Sequence, residues 1–86
     1  MNLKNQDTRI AVIGIVIENR EETATKVNDI ITLYGHLVVG RMGIPYKNRG
    51  VSVISLIIDG TTDDIGALTG KLGNIKGVKV KSVVTS

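Results

Sequence analysis

Two stretches, RIAVIGIVI at residues 9–17 and VSVISLIID at 51–59, are apolar at odd and even positions alike. Both are rich in β-branched residues, and neither has the length or pattern of an amphipathic helix. Each therefore predicts a strand with apolar side chains on both faces, in the middle of a sheet. Two such strands leave an 86-residue chain little material with which to cover them. A domain of this size buries only about 60–65% of the surface its unfolded chain exposes. With no cysteine in the chain, disulfides and thiolate metal clusters are excluded, so the fold must stand on its core and on any partner chain.

The rest of the sequence supplies two helices and two outer strands. Asn19, with Glu22 three residues on, resembles a capping box, and Ala24, Val27, Ile31 and Tyr34 follow at helical spacing with Ile30 beside them. Gly35 is expected to close that helix at its C′ position. HLVVGRM, residues 36–42, resumes strand character and forms a hairpin with the second apolar run. Thr61 or Thr62 caps a second helix with Asp63 and Asp64 in its first turn, Lys71 near its end, and a stripe of Ile65, Leu68, Leu72 and Ile75. Val78, Val80, Ser82 and Val84 alternate with Lys79, Lys81 and Val83 as an edge strand should.

The order βαββαβ predicts an α+β, ferredoxin-like sandwich: a four-stranded antiparallel sheet with the first and third strands central and both helices on one face. Residues 1–8 form a polar lead-in and residues 9–86 the domain. The arrangement leaves one face of the central strands uncovered. Contiguous apolar surface beyond a few hundred Å² marks an interaction site, so a homo-oligomer is expected, dimer or tetramer, joined through the sheet face or edge to edge.

The hairpin segment GRMGIPYKNRG, residues 40–50, combines three glycines, the single proline and three cations. Pro45 marks the end of a strand, 46–49 make a polar tip and Gly50 allows the return. Gly40 and Gly43 flank Arg41 in an edge strand, where glycine signals a bulge or the close approach of another backbone. The planar fork of Arg41 suits a carboxylate or phosphate; an ordinary exposed strand arginine is the alternative. Gly66, Gly70 and Gly73 fall beside the apolar stripe of the second helix. They allow either close packing on the sheet or neighbouring helix, or a bare backbone surface for a ligand or partner. Gly35, Gly40, Arg41, Gly43, Gly66 and Gly70 are thus the candidate ligand or subunit-interface positions.

Several function classes find little support. No Cys, no second His and no opposed acidic pair is present, and Ser52, Ser55 and Ser82 lie in strands without a base, so no catalytic residues are assigned and an enzyme is not expected. No Gly-Lys-Ser/Thr of a phosphate-binding loop occurs. His36 is the lone imidazole; no metal site or cofactor is expected within one chain, although two copies could meet across a symmetry axis. The central strands carry no aromatic residue on which to stack bases, and a net charge of +3 adds only a weak attraction for nucleic acid, so direct binding is disfavoured. The longest apolar run falls well short of the roughly 20 residues of a membrane span, and the lead-in is too polar for a signal peptide, so a cytoplasmic location is expected.

Three segments, AVIGIVIENRE with Val27 and Asn28 following, GRMGIPY, and DDIGALTGKLGNIKGVKVKSV, resemble the family of small bacterial proteins described as regulators of the iron-only hydrogenase system. The resemblance spans nearly all of the chain beyond residue 8 and is most specific at IGALTGKLG, residues 65–73. It implies an ACT-like fold, similar to the ligand-sensing domain of the nickel-responsive repressor, and assembly through paired sheets. The lead-in is too short to predict a DNA-binding motif of its own. The expected function is a non-enzymatic regulatory or sensor module, a homo-oligomer binding a small ligand or partner protein at the subunit junction. A purely structural or interaction module, or a weak nucleic-acid-binding protein, is the alternative.

Overall fold

The computed structural model describes residues 8–85; the lead-in expected over 1–8 lies outside the described residues except for Thr8. Thr8 itself opens the first strand. The elements are β1 (Thr8–Glu18), α1 (Glu21–Leu33), β2 (Val38–Tyr46), β3 (Val51–Thr61), α2 (Thr62–Gly73) and β4 (Val78–Thr85). All strand pairs are antiparallel and the sheet order is β2-β3-β1-β4, so the two strands apolar on both sides are the central ones.

β1 and β3 pair along their whole length, from Thr8 opposite Thr61 to Glu18 opposite Val51. The two-residue period sorts their side chains. Ala11, Ile13, Ile15 and Ile17 of β1 and Ile54, Leu56 and Ile58 of β3 are buried in the core. Thr23, Val27 and Ile31 of α1 and Ile65, Leu68 and Leu72 of α2 are the buried residues of the helices, and Val78 completes the layer. Each fully buried aliphatic side chain contributes about 1.5–3 kcal/mol, and this layer is the core formed by the described residues.

Three local expectations are corrected. The N-cap of α1 is Arg20, extended and without a side-chain cap bond, rather than Asn19. The cause is the backbone: Asn19 N–H donates to the Gly50 carbonyl at 2.9 Å, tying that residue to the hairpin, while Arg20 N–H donates to the Glu18 carbonyl at 2.8 Å. Gly35 follows the C-cap residue Tyr34 but is not left-handed; positive φ occurs among the described residues only at Gly50 and Gly77. The chain instead enters a 3₁₀ turn over Gly35–Leu37, in which Leu37 N–H donates to the Tyr34 carbonyl at 2.9 Å. That turn removes His36 and Leu37 from the expected strand and seats Leu37 on Gly60 of β3, where an added Cβ would lie 3.3 Å from Leu37 Cδ2.

β2 has the bulge that its glycine foreshadows. Val38 stands opposite Ile58 and Gly40 opposite Ile57, leaving Val39 as the extra residue. Pro45 pairs with Ser52 one residue before the strand ends, which an edge strand tolerates. A 3₁₀ turn over Lys47–Arg49 and the left-handed Gly50 (φ 65°, ψ 29°) complete the hairpin. Thr61 caps α2 in a reciprocal box: Asp64 N–H donates to Thr61 Oγ1 at 3.0 Å and Thr61 N–H to Asp64 Oδ2 at 3.4 Å.

Candidate functional site

The uncovered face of the sheet reads in rows across all four strands. Gly40, Ile57, Val12 and Val83 form one; Met42, Ser55, Gly14 and Lys81 the next; Ile44, Val53, Val16 and Lys79 a third. The middle row is the low one, because Ser55 and Gly14 at its centre are smaller than the Val and Ile residues on either side. An added Cβ at Gly14 would meet nothing nearer than the Lys81 carbonyl at 3.9 Å. Val12, Val16, Val53 and Ile57 are 38–44% exposed although they sit on the two central strands. Met42 and Ile44 on β2 and Val83 on β4 are more exposed still, and Lys79 and Lys81 form a cationic rim.

A different surface lies on the helix side, at the free edge of β2. Arg41 stands opposite Leu56 and Gly43 opposite Ile54, so both belong to the face that the helices cover. The Arg41 guanidinium reaches α1, where Nη2 donates to Asn28 Oδ1 at 2.7 Å. Beside this bond is a groove of about 180 Å³ with Ile17 and Ile54 in its wall and Ala24, Ser52 and Pro45 around it.

The six predicted positions therefore do not form one site. Gly40 lies on the open face, its Cβ position facing Ile57 Cδ1 at 3.9 Å, whereas Arg41 and Gly43 lie on the opposite face. Gly35 is in the exposed turn after α1. Gly66 and Gly70 are on α2, which packs on β4 at the other edge of the sheet from β2. Close packing does not explain Gly66, Gly70 or Gly73: all three are exposed, and an added Cβ would meet nothing within 4 Å. Asn28 and Ser52 were not singled out as site residues from the sequence. Carrying the strand alternation of β3 back through the hairpin would have placed Arg41 on the α1 side and so pointed to Asn28. His36 is exposed, and among the described residues no group of three His, Cys, Asp or Glu side chains could hold a metal ion. No described helix is long and apolar enough to cross a membrane.

Residues 9–82 match the TM1266-like family, provisionally described as iron-only hydrogenase system regulators. The chain belongs to that family. Among solved structures it is similar to the uncharacterised protein TM1266 of Thermotoga maritima, at 35% identity over 92% of this chain and 99% of that one, with a TM-score of 0.90. The ACT domain of the GTP pyrophosphokinase of Chlorobium tepidum shares the fold at 22% identity, covering 88% of this chain and 99% of that one, with a TM-score of 0.76. The C-terminal domain of the MgtC protein of Mycobacterium tuberculosis does so at 14% identity, covering 93% and 90%, with a TM-score of 0.71. No curated protein matches the chain. The family member thus has an ACT-like, ferredoxin-type fold, and the resemblance read from its three segments is borne out.

Proposed function

We propose that this family member is a non-enzymatic regulatory or sensor module that works as a homo-oligomer with its open sheet faces paired, and that it binds a small ligand or partner protein. The observation that carries this reading is the uncovered apolar face. Ile10, Val12, Val16, Met42, Ile44, Val53, Ile57 and Val83 are all exposed, and they cross all four strands. Together they present several hundred Å² of apolar surface, the scale at which a patch marks an interaction site and comparable with the roughly 800 Å² per partner of a standard interface. A second copy supports the reading best, because the same patch supplies both halves of a two-fold interface. The ridges of Val12–Ile57 and Val16–Val53 and the trough of Gly14 and Ser55 give it relief with which to interdigitate. Sedimentation velocity at micromolar concentration is expected to show a dimer or a multiple of it. A monomer across the accessible concentration range would overturn the proposal.

A further inference from the structure

We infer that the groove between α1 and β2 is a binding site for a small carboxylate with a short aliphatic tail, held by Arg41. This rests on the reading of the chain as a ligand-binding module and names the chemical class of ligand. The first observation is the state of Arg41. Among the described residues its side chain has one hydrogen-bond partner, the neutral Asn28 amide at 2.7 Å, and takes part in no ion pair within 4 Å. A guanidinium oriented by a neutral acceptor keeps its whole charge and most of its five N–H donors.

The second observation is the lining. Arg41, Asn28 and Ser52 are its polar side chains, Ile17, Ala24 and Ile54 contribute to its apolar wall, and no carboxylate lines it. Asn28 Oδ1 is engaged by Arg41, and among the described residues neither the Asn28 amide N–H groups nor the Ser52 hydroxyl makes a side-chain hydrogen bond of its own. Three donor groups and one uncompensated positive charge sit against an apolar wall. That combination selects an anion with an aliphatic end over a fully hydrated one, because a phosphate would desolvate against the isoleucines without compensation.

The larger groove of about 320 Å³ beside the start of α1 has the opposite character. Its charged lining residues are Glu18, Arg20, Glu22, Lys26 and Lys76, of which Arg20 pairs with Glu18 at 3.6 Å and Lys26 with Glu22 at 3.8 Å. Two carboxylates there oppose an anion and hold two of its three cations, whereas no carboxylate lines the groove of Arg41.

Gly43 provides the control. It faces the same groove, and a Cβ there would meet only ordinary contacts, Ile54 Cγ1 at 3.8 Å and the Val53 carbonyl at 4.0 Å. The chain itself does not need glycine at this position, but a side chain there would take up volume the ligand requires.

The test titrates the full chain with isovalerate, with 3-methyl-1-butanol as its neutral analogue and with inorganic phosphate, by calorimetry and thermal shift. Isovalerate is expected to bind and raise Tm, the alcohol to give no heat, and phosphate to bind at least tenfold more weakly. Arg41→Gln should weaken isovalerate at least tenfold and Arg41→Lys less, while Gly43→Val should abolish binding with Tm of the free protein unchanged or raised. Absence of isovalerate heat with the wild-type chain, equal binding by Arg41→Gln, or phosphate binding as well as isovalerate would each overturn the site. Sedimentation of the same samples separates the two proposals: an oligomer that binds no isovalerate refutes only the groove, and a monomer that binds it refutes only the paired sheet faces.

Discussion

Gly77 and Gly70 are both glycines near the C-terminal third of the chain, and the structure asks opposite things of them. Gly77 has φ 87°, its carbonyl accepts from Glu18 N–H at 2.9 Å, and an added Cβ would collide with the Glu18 side chain. An L-residue in that conformation costs about 1–2 kcal/mol before any clash is counted. Gly77→Ala should therefore lower the stability measured by urea unfolding by about 2 kcal/mol, without a change in m-value. Gly70 is a helix-interior residue with open space where a methyl would go. Gly70→Ala should raise stability by about 1 kcal/mol. Because the proposed pairing surface is the sheet face, it should leave the sedimentation coefficient unchanged; a loss of oligomer would show that the bare flank of α2, and not the sheet, receives the partner.

Among the elements, α2 is the one whose start is fixed by a single side chain. Thr61 both ends β3 and caps α2, with Asp64 returning the bond. Thr61→Ala leaves the Asp64 N–H without its acceptor and should cost about 1 kcal/mol in urea unfolding, with Thr61→Ser retaining most of the stability. The sequence narrowed this cap to Thr61 or Thr62, because the signal is entirely local, and the bond to Asp64 decides for Thr61. So were both central strands, since runs such as 9–17 and 51–59 have no other comfortable place in a sheet. The start of α1 was not, because Asn19 is drawn away by Gly50, a residue more than thirty positions distant in sequence whose proximity exists only once the hairpin has folded. The same limit applies to the candidate site. Gly40, Arg41 and Gly43 are neighbours in sequence, yet the pleat sends Gly40 to one face and the other two to the opposite face. The partner of Arg41 comes from α1 and could be found only by fixing the register of β2 against β3.

At the scale of the whole molecule, one layer of helices must stabilise a sheet with two apolar faces. Among the described residues the helix side holds the core, whereas Val12 and Ile57, paired at the centre of the other side, remain 44% and 42% exposed. If a second copy covers that face, folding and association are linked, and Tm must rise with protein concentration by mass action. Val12→Lys tests the linkage at one point. Val12 faces away from the core, so a lysine there leaves the helix–sheet packing intact, but in the paired state it would place an uncompensated charge in a dry interface. The variant should sediment as a monomer, and its Tm should no longer depend on concentration. At high dilution, where the wild-type chain also dissociates, the two proteins should melt within a few degrees of each other. An equally large gap in Tm at every concentration would mean that Val12 stabilises the single chain directly, and the open face would then need no partner to explain it.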